Sequence, residues 1–205
     1  MRGASRVVQK YVERPMLLHG RKFDIRLYVL CAGWAPERLW LYDAMLLKVC
    51  SEPFCLERLG DRYRHLTNCA VQKENVKPKG AKEEAEQLWS SERFRDHLRV
   101  NGYGARAWED EVLPAIRAVV VATLASTQAS SSRLGQQQRQ RSFECFGLDV
   151  ILDETLRPWL LEVNESPNLR NHGAEVLEPM LDSLLDVVLG AERDEDGSVG
   201  CWQCM

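Results

Sequence analysis

Two apolar runs joined by a short polar link constrain this chain more than any other feature. Residues 143–152 (FECFGLDVIL) and 158–164 (PWLLEVN) flank Asp153-Glu154-Thr155-Leu156-Arg157. Both runs have strand length and strand composition, and Pro158 suits the first position of a strand. Side chains alternate along a strand, so Glu162 and Asn164 share one face, while Leu161 and Val163 share the other. Folding the hairpin about residue 155 sets Asp149 opposite Leu161 or Glu162. Two carboxylates and an amide oxygen then converge. Such a cluster repels itself unless a cation or proton joins it, and hard oxygen donors that leave room for waters and phosphates suit Mg²⁺. The alternative is a surface hairpin with scattered acids. Phe146, Val150, Leu152, Trp159, Leu160 and Leu161 count against it, because they imply strands covered on both faces, where an unpaired acid is costly.

A second strand is expected over Lys22–Cys31, in which Lys22-Phe23-Asp24-Ile25-Arg26 alternates charged and apolar positions. Lys22, Asp24 and Arg26 share a face, and Phe23 and Ile25 face the core. One reading is a self-contained ion-pair network. The other makes Lys22 and Arg26 anion clamps, with Asp24 accepting from sugar hydroxyls and the forked Arg26 guanidinium suited to phosphate or carboxylate. Further strands are expected over Val7–Glu13, Leu39–Tyr42 and Met45–Val49. Residues 74–83 read as a loop. Ser90 or Ser91 can cap a helix over Glu92–Val100. Leu113, Ile116, Val120 and Leu124 repeat at helical spacing, with Pro114 near that helix's start or kinking it. Residues 125–142, rich in Ser and Gln, read as a loop. Glu175–Leu189 reads as an amphipathic helix ended by Gly190. The expected organisation is one α/β (α+β) domain over 1–190 with a polar tail over 191–205.

Composition narrows the partners. No run is long enough for a membrane span, and the basic start MRGASRVVQKY lacks the apolar stretch of a signal peptide. Seven scattered cysteines suggest free thiols in a reducing compartment, and Cys201-Trp202-Gln203-Cys204 alone is too little for a zinc or redox site. The net charge of −3 hides a basic first stretch and an acidic tail. The basic stretch suits a nucleotide or an acidic protein tail. Neither nucleic acid nor membrane is expected as a partner. His19, His97 and His172 have no companions at ligand spacing, and His65-Leu66-Thr67-Asn68 by itself could be a turn.

Four blocks in this order resemble the tubulin tyrosine ligase-like family: VVQKYVERPMLL (7–18), GRKFDIRLYVL (20–30), RHLTNCAVQKE (64–74) and SFECFGLDVILDETLRPWLLEVNESPNL (142–169). The resemblance spans residues 7–190, and the last block is the most specific. It implies an ATP-grasp fold, here its C-terminal portion, an antiparallel sheet with flanking helices. It also implies that Gln9, Lys10 and Tyr11 line an adenine pocket, that Lys22 and Asp24 serve the nucleotide with Asp24 at the ribose, and that Arg26 and Lys48 hold the incoming amino acid or the reacting phosphate. Thr67 and Asn68 would lie beside the phosphates, and Asp149, Glu162 and Asn164 would bind Mg²⁺. The implied reaction is ligation of a free amino acid to a glutamate carboxylate of a tubulin acidic C-terminal tail, through an acylphosphate made with ATP. The implied setting is cytoplasm, microtubules and cytoskeleton, with cilium or flagellum as a further location.

Gly33-Trp34-Ala35-Pro36, Trp40, residues 51–59 (SEPFCLERL), residues 88–98 (LWSSERFRDHL) and Ala107-Trp108 look like the tubulin glycylases, which favours glycine. Glutamylase and tyrosine ligase are the alternatives within the family. Glu165 departs from the glycylases, which usually have a small residue there. Family members also carry an upstream segment that supplies phosphate-binding lysines and a mobile Gly-rich loop, so part of the ATP clamp is expected outside these 205 residues and weak turnover is expected of this chain alone. Outside this reaction class, the alternatives are a non-catalytic tubulin-binding remnant and an ATP-grasp ligase with a small-molecule substrate.

Overall fold

A computed structural model describes residues 7–34, 37–75, 87–133, 142–167, 174–190, 194 and 197–205. Its organising element is β2 (Arg21–Trp34), whose alternation of charged or aromatic with aliphatic residues gives it two different faces. All pairings are antiparallel. β2 pairs with β1 (Leu17–Leu18), β3 (Glu37–Tyr42), β4 (Leu46–Val49) and β6 (Glu144–Leu152). Beyond these lie β5 (Leu88–Ser90) on β4, β7 (Pro158–Asn164) on β6 and β8 (Trp202–Cys204) on β3. The result is mixed α/β, an eight-stranded antiparallel sheet with flanking helices. That is the arrangement expected of the C-terminal portion of an ATP-grasp fold.

Phe23, Ile25, Leu27, Val29 and Cys31 point from β2 into the larger core, joined by Phe146, Leu148, Val150 and Leu152 of β6 and Leu47 and Val49 of β4. The Ser91–Val100 helix covers them with Phe94 and Leu98, and the Leu113–Arg133 helix with Ile116, Val120 and Leu124. Each such aliphatic side chain taken fully from water contributes about 1.5–3 kcal/mol. The opposite face of β2 divides in two. Tyr28, Leu30 and Ala32 lie in a second core under Met180, Leu184 and Val187 of the Ala174–Leu189 helix. Lys22, Asp24 and Arg26 continue the same face beyond that core, where the chain can admit polar partners.

Local chemistry explains the boundaries. The Ser90 hydroxyl accepts from Arg93 N and caps the Ser91–Val100 helix. A π-helical turn, Trp108–Val112, leads into the Leu113–Arg133 helix just before Pro114, which has no N–H to give to a ladder. Gly190 adopts φ +82° and donates to Val187 O, ending the Ala174–Leu189 helix.

Three expectations are corrected. Residues 7–13 form no strand, because they find no ladder partner among the described residues, and Val7 and Val8 stand exposed. The helix expected to stop near residue 125 continues to Arg133. Its hydroxyls turn back onto helix carbonyls, with Thr123 Oγ1 donating to Val119 O and Thr127 Oγ1 to Thr123 O. Residues 134–141 of the expected loop, and 76–83 of the other, lie outside the described residues. Finally, the polar tail contains β8. Its Trp202 is fully buried, packs on Tyr42 with ring centroids 5.1 Å apart, and donates its indole N–H to Met180 O.

Candidate functional site

Register across four strands sets one row of charged side chains on a single sheet face. Lys48 of β4 lies opposite Asp24, Arg26 lies opposite Asp149 of β6, and Asp149 lies opposite Glu162 of β7. Gly147 and Asn164 pair two residues along, on the same face. A bulge between Asp149 and Val150 adds Leu161 to β7 without a partner of its own. Of the two registers expected for Asp149, the chain takes Glu162.

The row is tightly paired. Arg26 donates two hydrogen bonds to Asp149, from Nε to Oδ1 at 2.6 Å and from Nη2 to Oδ2 at 2.9 Å. Lys48 Nζ adds a third, to Asp149 Oδ2 at 3.1 Å, and lies 3.2 Å from Asp24 Oδ1. That second approach is a charge contact, and among the described residues Asp24 Oδ1 has no hydrogen-bond donor. Asp24 Oδ2 accepts from the Thr67 hydroxyl. The ion-pair network expected within the Lys22-Asp24-Arg26 strand therefore exists with different partners. It runs between strands, and Lys22 stands apart, donating to His65 O at 2.8 Å.

The two buried acids differ. Burial pushes Asp24 up to about 6, with Lys48 pulling down and Asp149 pushing further up. Burial also acts upward on Asp149, but the hydrogen bonds and charges of Arg26 and Lys48 outweigh it and hold that carboxyl below its usual range. Burial alone would lower Arg26, and Asp149 reverses this, raising it. Burial lowers Lys22.

A cavity of about 390 Å³ opens beside this row, lined by Arg26, Tyr28, Lys48, Lys73, Glu162 and Asn164, with Asn68, Cys69, Ala70 and Ser166 on its walls. Asn164 Nδ2 donates to Glu162 Oε1 at 3.1 Å. Asn68 caps the Cys69–Lys73 helix by accepting from Ala70 N. Glu162 and Asn164 are hard oxygen donors facing an open cavity and fit a cation such as Mg²⁺. Asp149 fits only as a member shared with Arg26 and Lys48, which already engage both its oxygens. Among the described residues, no group of three His, Cys, Asp or Glu side chains forms a metal cluster.

A larger cavity, about 560 Å³, adjoins the other end of β7. Leu160 and Leu161, turned by the bulge, form one wall with Trp159, and residues 9–14 form the other. Gln9 Nε2 donates to Leu161 O at 3.0 Å, Lys10 pairs with Glu13 at the surface, and Tyr11 reaches His65. The residues expected at an adenine thus lie together. Tyr28, Cys69, Lys73 and Ser166 line the smaller cavity without having been singled out. Lys73 and Cys69 belong to the RHLTNCAVQKE block, and Ser166 to the hairpin block, so the signal was present and unassigned.

Residues 1–196 match the profile of the Tubulin-tyrosine ligase family, and the chain belongs to that family. It is 34% identical over 209 residues to tubulin monoglycylase TTLL3 of Danio rerio, an alignment covering 99% of this chain and 26% of that protein. It is 36% identical over 171 residues to tubulin monoglycylase TTLL3 of Homo sapiens, covering 82% of this chain and 21% of that protein. The probable tubulin polyglutamylase TTLL9 of Rattus norvegicus is 37% identical over 175 residues, with 84% and 35% covered. The chain thus spans about a fifth to a third of the length of these relatives.

Proposed function

We propose that this chain carries the nucleotide-phosphate and acceptor side of an ATP-dependent ligase, which joins an amino acid, glycine favoured, to a glutamate carboxylate of tubulin. The glutamate oxygen attacks the γ-phosphorus of ATP, the bond to the β–γ bridging oxygen breaks, and an acylphosphate and ADP form. The amino group of glycine then attacks the acyl carbon, phosphate leaves, and the amine proton passes to solvent. Arg26 and Lys48 offset charge on the transferring phosphoryl or on the acyl oxygens. Thr67 holds Asp24, and Asp24 and Asp149 hold Lys48 and Arg26 at the cavity wall. Glu162, Asn164 and a shared Asp149 would hold Mg²⁺, which neutralises phosphate charge when bound. Gln9, Lys10, Tyr11, Leu160 and Leu161 would surround the base. Asp24 acts here as the anchor of Lys48 rather than as a ribose ligand, because it is buried beneath Lys48 and Thr67. The working unit is residues 1–190 with β8 stitched onto it. Its setting is the cytoskeleton, and among the described residues no helix is long and apolar enough to cross a membrane.

The observation that carries this reading is the row Lys48, Asp24, Arg26, Asp149, Glu162, aligned by register, of which Lys48, Arg26 and Glu162 line a cavity. Glycine is favoured over glutamate and tyrosine by the glycylase-like segments and by the names of the first relatives. A non-catalytic tubulin-binding role has one feature in its favour, the full engagement of Asp149 by Arg26 and Lys48. One assay separates them: the chain, tubulin, Mg-ATP and isotope-labelled glycine, glutamate or tyrosine, with modified tails read by mass spectrometry. Slow, ATP-dependent glycine transfer to glutamate side chains is expected. Tubulin binding with no transfer of any of the three would favour the non-catalytic role.

A further inference from the structure

Tyr11, Lys22 and His65 come from three separate segments and meet at one point. The Tyr11 hydroxyl lies 2.8 Å from His65 Nδ1. Lys22 Nζ lies 3.5 Å from that hydroxyl, 4.8 Å from the centre of the Tyr11 ring and 2.8 Å from the His65 backbone oxygen. His65 Nε2 lies 3.1 Å from Arg58 O. A carbonyl can only accept, so Nε2 donates to Arg58 O, and in the tautomer that carries its proton there Nδ1 accepts from Tyr11. The Tyr11 oxygen is then free to accept from Lys22. The imidazole is buried, and Phe54 meets its edge with ring centroids 5.5 Å apart.

The location gives this contact consequence. Residues 9–14 form one wall of the larger cavity but have no strand ladder among the described residues. Gln9 and Arg14 tie that segment to the β6–β7 hairpin, through Leu161 O and through Glu154 at 2.9 Å. Tyr11 ties it to the face of β2 instead. Three residues beyond His65 the chain reaches Asn68, Cys69 and Ala70, in the wall of the smaller cavity. His65 therefore joins the segment that forms one wall to the segment that leads into the other.

We propose that His65 is a positioning residue. Its ring fixes the Tyr11 wall of the larger cavity and, through the Tyr11 hydroxyl, the second contact of the Lys22 ammonium, and so sets nucleotide affinity without touching the nucleotide. The affinity part rests on the reading of the larger cavity as the nucleotide's. The holding of residues 8–14 does not.

The test uses the whole chain as wild type, Tyr11→Phe, His65→Ala, His65→Asn and His65→Gln. Asn offers an oxygen where Nδ1 stood and can accept from Tyr11. Gln offers an N–H where Nε2 stood and keeps only the Arg58 contact. Amide hydrogen exchange across residues 8–14 should accelerate about threefold to tenfold in Tyr11→Phe, His65→Ala and His65→Gln, the loss of one ordinary hydrogen bond, and stay near wild type in His65→Asn. Affinity for a fluorescent ATP analogue should fall in the same three variants by a similar factor and recover in His65→Asn. Unchanged exchange over 8–14 in Tyr11→Phe and His65→Ala, with only a lower melting temperature, would overturn the proposal. If the wild-type chain binds no analogue, the nucleotide reading and the affinity part fall together, and exchange decides whether His65 holds the wall.

Discussion

Asp24→Asn should stabilise the chain at pH 8 and change little at pH 4. Asp24 sits nine-tenths buried among Lys48, Thr67 and Asp149, and burial raises it from 3.8 to about 6. A raised acid binds its proton more tightly in the folded chain than in the unfolded one. Its contribution to stability is therefore fully present below the unfolded value and is lost as pH rises through about 6. The displacement corresponds to about 3 kcal/mol of stability lost at high pH. Asparagine carries no charge to desolvate, and the Thr67 hydroxyl can rotate to accept from its amide. Up to about 3 kcal/mol should return at pH 8, equivalent to a melting temperature higher by about 6–12 °C for a chain of this size. Asp149 has the opposite sign: its contribution is present above the ordinary carboxyl value and lost as pH falls through its lowered folded value. The contributions of these two groups therefore decline on both sides of the ordinary carboxyl value of 3.8. Urea unfolding of both proteins at pH 4, 6 and 8 reads the difference. An Asn variant more destabilised at pH 8 than at pH 4 would mean that the Asp24–Lys48 contact outweighs burial, and would refute the reasoning.

Two further outcomes follow from the same row. Arg26→Ala should slow ligation about a hundredfold, and it should also cost stability, because Asp149 keeps only Lys48. Near-normal ligation by a destabilised variant would remove Arg26 from the chemistry. In Gly147→Ala, the new Cβ would lie 2.6 Å from Pro167 Cβ and 3.3 Å from Arg26 Nη1. Such overpacking costs about 1–3 kcal/mol, and Pro167→Gly in the same chain should return part of it, as read by thermal unfolding.

The hairpin of β6 and β7 was legible because alternation and strand length are local properties, and they brought Asp149 to within one residue of its partner. The bulge that chose Glu162 was not, since an unpaired Leu161 looks in sequence like any other strand residue. Alternation also gave the face of Asp24 and Arg26, but a face does not name its partners. Those lie on β4 and β6, more than twenty and more than a hundred residues away, and local spacing pointed instead to neighbours on the same strand. Composition misled at residues 125–133, which continue the helix, and the Ser126 and Thr127 hydroxyls bond its carbonyls. It misled again at the tail, where one Trp202 among polar residues finds Tyr42 and Met180 only once the fold has formed. His65 carried no local signal beyond the block that contains it.

The central claim is that Glu162 and its neighbours hold a magnesium-bound nucleotide against the Arg26–Lys48 row. Its most direct measurement is a titration of the chain with a fluorescent ATP analogue, with Mg²⁺ and with EDTA, for wild type, Glu162→Gln and the distant surface control Glu109→Gln. The account predicts weak binding that needs Mg²⁺, is lost in Glu162→Gln and is kept in Glu109→Gln. Binding of equal strength in EDTA, unaffected by Glu162→Gln, would contradict it.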